Sequence, residues 1–159
     1  MGYYRTAQIC EDGHTVNPNI EEYPETNQKF CDKCGQSTIT KCPSCQTSIR
    51  GEYVIEGIVN CTPYEVPPFC YNCGNPYPSI QNSIDGMMEL MELEASFNES
   101  EKQEMQKALL DISNDSSRTE IGVLKVKKMY KKISPTTKNI FTNIVVNIAT
   151  EKAKQELGL

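Results

Sequence analysis

Residues 31–45 read Cys31-Asp-Lys-Cys34-Gly-Gln-Ser-Thr-Ile-Thr-Lys-Cys42-Pro-Ser-Cys45 and contain two Cys-x-x-Cys pairs. A third pair, Cys70-Tyr-Asn-Cys73, follows further along the chain. A turn of this length directs two thiolates at one ion, and a glycine after the second cysteine permits the positive φ that closes the turn. Gly35 and Gly74 supply that glycine in two of the three pairs. The three pairs together indicate metal binding.

A fourth half-site lies at Cys10-Glu-Asp-Gly-His14, where the glycine lets the chain bend between the cysteine and the only histidine. Four half-sites are enough for two tetrahedral sites. Taken in chain order, they predict a first site of Cys10, His14, Cys31 and Cys34 and a second site of Cys42, Cys45, Cys70 and Cys73.

The assignment of half-sites to metals leaves two alternatives open. The first two Cys-x-x-Cys pairs could share one metal, so that Cys10 and His14 would complete a site with the third pair. Alternatively, His14 is a surface residue and Cys61 is the fourth ligand of the first site. Cys61 belongs to no pair, and we otherwise expect it to be a thiol without a role.

Closed sites of four cysteines, or of three cysteines and a histidine, favour zinc and leave no open position for a substrate. The prediction is therefore two structural Zn²⁺ ions. Iron is the competitor at the second site, because rubredoxins also use two Cys-x-x-Cys turns, one of them with proline after the first cysteine, as at Pro43. A disulfide framework would need a secretory route. The sequence opens without an apolar leader, so we expect a cytoplasmic protein.

Length and charge exclude several classes of protein. The chain has 159 residues, no tryptophan and 38% hydrophobic residues, which is thin for one large core. No segment approaches the roughly 18 apolar residues of a membrane span, so no membrane partner is expected. The formal charge is −5, and two thiolate-bound zinc ions would bring it to about −8. That charge argues against a general attraction to nucleic acid.

The composition changes near residue 80, which predicts a tandem zinc-ribbon domain at residues 1–80 and a helical domain at residues 81–159. All eight cysteines, the histidine and eight of the nine prolines lie in the first part. Residues 50–60 are rich in β-branched and aromatic side chains and predict a strand. The expected fold class is a small metal-bound α+β protein, in which short strands and cysteine turns precede a bundle of about four helices.

Apolar side chains at helical spacing predict the four helices. The first has the stripe Ile84, Met87, Met88, Met91 and Ala95. The second is capped by Asn98 with Glu101 and has the stripe Met105, Ala108, Leu109 and Ile112. The third is capped by Ser117 with Glu120 and ends near Ile133. The fourth has Ser134 as its cap and Pro135 at its first position, and buries Ile140, Phe141, Ile144, Val145 and Ile148.

The helical part is divided by charge. Residues 85–115 hold nine acidic and two basic residues, whereas residues 116–138 hold seven basic and one acidic residue. One arc of the third helix carries Lys125, Lys127, Lys128, Lys131 and Lys132, opposite Val123, Val126, Met129, Tyr130 and Ile133. This lysine arc contacts nucleic acid or a partner, or else it is a solvated face beside one of the acidic helices.

The layout resembles an uncharacterised bacterial family of double zinc-ribbon proteins with a helical C-terminal region. The matching features are Cys10-x-x-Gly13-His14, Phe30-Cys31-x-x-Cys34-Gly35, Cys42-Pro43-x-Cys45, Ile49-Arg50-Gly51, Pro68-x-Cys70-x-x-Cys73-Gly74 with Pro78, and Arg118-Thr119 before the lysine-rich stretch. The resemblance covers most of the chain. It implies the metal sites and assigns no activity.

The residues favour a non-enzymatic interaction or adaptor protein whose metal sites are structural and whose partner is another protein. Met87, Met88 and Met91 would give such a partner an adaptable apolar surface, unless they form the core of the bundle. The alternative is a nucleic-acid-binding regulatory protein that uses the lysine arc and the ribbons. We find no paired carboxylates, phosphate loop or Ser-His-Asp set, so we do not expect an enzyme. The sequence indicates no particular oligomeric state.

Overall fold

Among the described residues, five short strands form two antiparallel sheets near the start of the chain. The structure is a computed structural model that describes residues 1–59 and 61–159. The strands are β1 (Tyr3–Thr6), β2 (Gln8–Cys10), β3 (Thr15–Asn17), β4 (Thr38–Ile39) and β5 (Arg50–Val54), and a 3-10 turn spans Pro24–Thr26. Strand β1 pairs with β5, while β2 is the central strand between β3 and β4. The described residues divide into two units, Met1–Ser79 and Ile80–Leu159.

Cysteines form part of the small core of the first unit. Ala7, Ile9, Ile49 and Tyr77 are fully buried, and they cluster with Cys42 and Cys70. So few apolar side chains bury little surface, and a domain of this size with such a core needs another source of stability.

The strand predicted at residues 50–60 is shorter than expected. Strand β5 ends at Val54, and Ile55 and Ile58 then form an isolated bridge across a turn. Gly57 takes a φ of 77° in that turn, a conformation that ends an extended strand. Asn60, the last residue of the predicted strand, lies outside the described residues.

Five helices follow in the described part of the chain. They are α1 (Pro78–Leu93), α2 (Glu99–Ile112), α3 (Thr119–Tyr130), α4 (Lys138–Ile148) and α5 (Glu151–Leu157). Each contributes to one apolar core within Ile80–Leu159. Helices α2 and α3 pack closely at Gly122, where an added Cβ would lie 2.8 Å from Asp111 Cβ.

Several helix predictions are confirmed. The stripe of α2 is completely buried. Asn98 accepts a hydrogen bond from the Glu101 N–H at 2.9 Å, while Glu101 accepts one from the Asn98 N–H at 3.2 Å, so the capping box is present. Met87 and Met91 are fully buried. They belong to the core, and the proposed methionine surface for a partner is wrong.

Other helix predictions are corrected at helix ends. Ala95 lies beyond the end of α1 and is exposed. Ser117 does not cap α3. Instead, the Thr119 hydroxyl accepts a hydrogen bond from the Ser116 N–H at 3.0 Å, and the Ser116 hydroxyl accepts one from the Arg118 N–H at 3.2 Å. Helix α3 ends at Tyr130 rather than near Ile133.

The predicted start of the fourth helix is also wrong. Helix α4 begins at Lys138, and residues 135–137 form a turn. The Ser134 and Thr137 hydroxyls both donate hydrogen bonds to the Glu94 carboxylate, which holds the turn before the helix. Ile140 is 51% exposed rather than buried. The fifth helix was missed, although Thr150 caps it and Gly158 ends it with a φ of 82°.

The expected fold class is confirmed at a coarse level. The described chain is a small α+β protein with small antiparallel sheets and five helices. None of the described helices has the length and apolar character that crossing a membrane requires.

Candidate metal centres

The first cluster forms where the hairpin of β2 and β3 meets the first Cys-x-x-Cys turn. Cys10 is the last residue of β2, and His14 directly precedes β3. Strand β4 pairs with β2, with Thr38 opposite Cys10. Because β4 follows the turn that holds Cys31 and Cys34, this pairing brings both thiols beside the hairpin.

The donor atoms of this first cluster lie close together. Cys10 Sγ lies 3.5 Å from His14 Nδ1 and 3.7 Å from Cys34 Sγ, and Cys31 Sγ lies 3.7 Å from His14 Nδ1. All four donor atoms lie within 4.8 Å of one another. The His14 backbone N–H also donates to Cys10 Sγ at 3.2 Å.

The second cluster joins two Cys-x-x-Cys turns that are distant in sequence. Cys42 Sγ lies 3.7 Å from Cys73 Sγ, and Cys45 Sγ lies 3.7 Å from Cys70 Sγ. Its four donor atoms also lie within 4.8 Å of one another. A disulfide would require about 2.05 Å between sulfurs. The eight described cysteines are free thiols, so this arrangement is a cluster of separate donors.

The three Cys-x-x-Cys turns share one backbone pattern. In each, the N–H four residues after the first cysteine donates to that cysteine's carbonyl, and the cysteine's own N–H donates to the carbonyl five residues on. The residue before each first cysteine forms an isolated bridge with the residue seven positions later. The positive φ predicted after the second cysteine is confirmed at Gly35 (75°) and Gly74 (72°). In the middle turn Gln46 takes the same conformation, with a φ of 61°.

The geometry groups the eight predicted residues in chain order. Cys10 and His14 lie with the first Cys-x-x-Cys pair, and the second pair lies with the third. Neither alternative grouping matches this arrangement. Cys61 is exposed and lies in neither cluster. Both groups could hold a metal ion.

The comparison with protein families gives a match over most of the chain. Residues 3–157 match the family described as an uncharacterized protein conserved in bacteria, DUF2321. The chain belongs to this family. The expected resemblance to an uncharacterised bacterial family is thereby confirmed, and the family's description names no metal. Neither the curated proteins nor the solved structures gave a match.

Hydrogen bonds to sulfur shape the electrostatics of the clusters in this DUF2321 member. The Thr47 hydroxyl lies 3.3 Å from Cys45 Sγ, and Asn72 Nδ2 donates to the same sulfur at 3.6 Å. The Thr47 side chain, its backbone N–H and the Asn72 amide lower the pKa of the Cys45 thiol to about 6. Thr47 and Asn72 were not predicted as site residues, although both lie beside cysteine pairs in the sequence.

Crowded thiols in each cluster differ in acidity. Burial acts to raise the pKa of Cys31, but the N–H groups of Lys33 and Cys34 lower it to about 7. The Asn75 N–H acts to lower the pKa of Cys73, but burial and the neighbouring thiols raise it to about 12. Protons are therefore shared unequally within each cluster. A cation bound to the thiolates of either cluster would replace those protons.

The predicted lysine arc is divided into two groups. Lys125 Nζ lies 3.5 Å from the Glu104 carboxylate, and Lys132 Nζ lies 2.7 Å from that of Glu101. Both carboxylates belong to the acidic helix α2, so part of the arc faces an acidic helix. The remaining lysines of the arc, Lys127, Lys128 and Lys131, are exposed.

Proposed function

We propose that each cluster binds one Zn²⁺ ion in a closed tetrahedral site. With Zn–S bonds of about 2.3 Å, two sulfurs of a tetrahedron are about 3.8 Å apart, and a sulfur and an imidazole nitrogen are about 3.6 Å apart. The corresponding distances here are 3.7 Å between sulfurs and 3.5–3.7 Å between sulfur and Nδ1. This agreement is the observation that carries the proposal.

Zinc in these sites would have a structural role. Each site has four protein donors, so a bound ion would keep no position for water or substrate. Cys42 and Cys70 belong to the apolar core of the first unit, so metal binding would be coupled to folding of that core. We therefore propose that Met1–Ser79 is a tandem zinc-ribbon unit, and that the helices of Ile80–Leu159 form a bundle.

Histidine ligation favours zinc over iron in the first site, because His14 Nδ1 lies within the donor group. The second site has four sulfurs, which also suit iron. Replacement of the native metal by Co²⁺ tests the geometry at both sites. We expect intense visible absorption typical of tetrahedral thiolate sites, with two Co²⁺ bound per chain. Weak absorption, as in octahedral coordination, would contradict the proposal.

The function that these features support best is a cytoplasmic, non-enzymatic adaptor for another protein. The only histidine lies in the first metal cluster, and the proposed sites are closed, so neither site offers acid–base or Lewis-acid chemistry. Exposed tyrosines in the first unit include Tyr3, Tyr4 and Tyr71. Tyrosine is enriched at protein interfaces.

Capture of partners by the holo-protein tests the adaptor function. We expect specific proteins to be retained by the zinc-loaded chain and by a Cys61→Ser variant. Proteins that bind the first unit should no longer be retained by a Cys42→Ser/Cys45→Ser variant, whose second site is broken. A retained set that is no different from that of unloaded resin would contradict an adaptor role.

Nucleic-acid binding is the second candidate, since three lysines of the arc form no ion pair within the described chain. The net charge of −5 and the pairing of Lys125 and Lys132 with α2 make it the weaker one. A gel shift at low salt that disappears at high salt and in Lys127→Glu/Lys128→Glu would favour it. If no gel shift is seen at low salt, the adaptor function is favoured instead.

A further inference from the structure

An apolar groove of about 630 Å³ runs along α3 and α4 within the second unit and is closed on one side by the end of α5. Val126, Phe141 and Val145 line it and are almost fully buried. Leu124 and Tyr130 also line it and are 67% and 38% exposed. The groove therefore combines a buried apolar floor with apolar side chains that face solvent, an arrangement that a partner could cover.

Lysines border the same groove. Lys127, Lys128 and Lys131 line it, and together with Leu124 they stand at i, i+3, i+4 and i+7. None of the three makes an ion pair within 4.0 Å in residues 1–59 and 61–159. By contrast, Lys125 and Lys132 are held by α2. The groove thus retains cations that are available to an incoming ligand.

We propose that this groove binds an acidic amphipathic helix of a partner protein. The partner's apolar side chains would cover Leu124 and Tyr130, and its carboxylates would pair with Lys127, Lys128 and Lys131. The inference rests on the proposed adaptor function and specifies the class of partner. Its basis is charge complementarity around an apolar floor.

The shape of the groove favours a helix. Its walls are α3, α4 and the residues at the end of α5, Leu157, Gly158 and Leu159. The backbone N–H and C=O groups of α3 and α4 are used within those helices, so an added strand would find no edge to pair with there. A third helix can pack its side chains into the groove between two helices. Nucleic acid would engage the lysines but would leave the apolar floor uncovered, since its interfaces are more polar and more highly charged.

Fluorescence anisotropy with two synthetic helices tests the inference. The first probe is a labelled peptide of about 18 residues with leucines at i, i+3, i+4 and i+7 and glutamates on its other face. The second has the same leucines with lysines in place of the glutamates. We expect the full-length, zinc-loaded protein to bind the glutamate peptide at least about tenfold more tightly than the lysine peptide, with affinity falling as salt rises.

Variants separate the two components of the groove. Lys127→Glu should weaken binding of the glutamate peptide about five- to tenfold, because electrostatic attraction is lost. Leu124→Ser should weaken it about tenfold, because apolar contact is lost. Lys107→Glu is the matched control, because Lys107 is exposed on α2 and does not line the groove. It should change the affinity less than about twofold. Far-UV circular dichroism confirms that each variant keeps its helices.

Three outcomes would overturn the inference. They are failure to bind either peptide, equal binding of both peptides, and an effect of Lys107→Glu as large as that of Lys127→Glu. Tighter binding of a DNA duplex or of anionic phospholipid vesicles, sensitive to Lys127→Glu but not to Leu124→Ser, would also overturn it. Each sample is first assayed for zinc. A protein that carries two zinc ions but does not bind the glutamate peptide would refute the groove proposal alone. A protein without two zinc ions would instead refute the proposed metal sites.

Discussion

Replacement of Gln46 by glycine should stabilise the first unit. Gln46 has a φ of 61°, whereas glycine occupies the equivalent position of the other two Cys-x-x-Cys turns. A side chain in this left-handed region costs about 1–2 kcal/mol. Replacement by glycine removes this strain, but glycine loses more conformational entropy on folding, which offsets about 0.5–1 kcal/mol of the stabilisation. The hydrogen bond that Gln46 Nε2 donates to the Pro43 carbonyl is long, at 3.3 Å, and exposed to solvent. Its loss should therefore cost little.

The net gain for Gln46→Gly is therefore about 0.5–1 kcal/mol, which corresponds to about 2–8 °C in the unfolding midpoint of a unit of this size. Near-UV circular dichroism of the tyrosines is a suitable assay, because seven of the eight tyrosines lie in Met1–Ser79. Thermal unfolding should be followed at a fixed concentration of free zinc, since bound metal stabilises the folded state.

Gly35→Ala and Gly74→Ala are the matched controls. An added Cβ would meet no atom within 4 Å at either position, so the same two backbone effects, strain and chain entropy, apply here without a steric clash. Each should lose about 0.5–1 kcal/mol, the reverse of the gain at Gln46. If Gln46→Gly fails to raise the midpoint while both alanine variants leave it unchanged, the strain argument is refuted.

Three further variants test contacts outside the clusters. Asn98→Ala removes the capping box of α2 and should lower stability to urea by about 1 kcal/mol, measured from the helical far-UV signal. The hydroxyls that bind Glu94 lower its pKa below 4.5, so the carboxylate stabilises the fold above about pH 4.5, and this stability is lost as pH falls through the folded-state pKa. Glu94→Gln should flatten that acid dependence, measured as the unfolding midpoint between about pH 5 and pH 3. The Arg50 guanidinium lies 3.8 Å from the Tyr71 ring centroid and 4.7 Å from that of Tyr4. Arg50→Ala should therefore lower the free energy of unfolding of the first unit by about 1–2 kcal/mol, measured from its thermal unfolding.

Local chemistry explains which features the sequence predicted. The capping box at Asn98 and the buried stripe of α2 depend on residues within one or two turns of each other. The closing conformation at Gly35 and Gly74 likewise depends on a single turn. Such features are visible in sequence because neighbouring residues determine them.

Features that depend on distant residues were harder to predict. Serine is a residue type that often caps helices, which favoured Ser134 as a cap. Its hydroxyl instead donates to the carboxylate of Glu94, 40 residues away in sequence, and α4 begins later, at Lys138. Ile140 fits the helical stripe, yet half of its surface is exposed. The division of the lysine arc depends on which lysines reach α2, which a helical wheel of α3 alone cannot show.

The assignment of half-sites to clusters also depends on distant contacts. Four half-sites allow more than one combination, and chain order favoured one of them. In the structure, the pairing of β2 with β4 brings Cys31 and Cys34 beside Cys10 and His14. The sequence did not predict β4, because a strand of two residues is too short to give a periodic pattern.

Metal content of the purified protein tests the central claim most directly. Elemental analysis of the native chain and of Cys61→Ser should return two zinc ions per chain, because Cys61 lies in neither cluster. Cys42→Ser/Cys45→Ser should return one, since it removes two donors of the second cluster and none of the first. A content near one or zero in the native chain, or of two in the double variant, would contradict the assignment of two independent zinc sites.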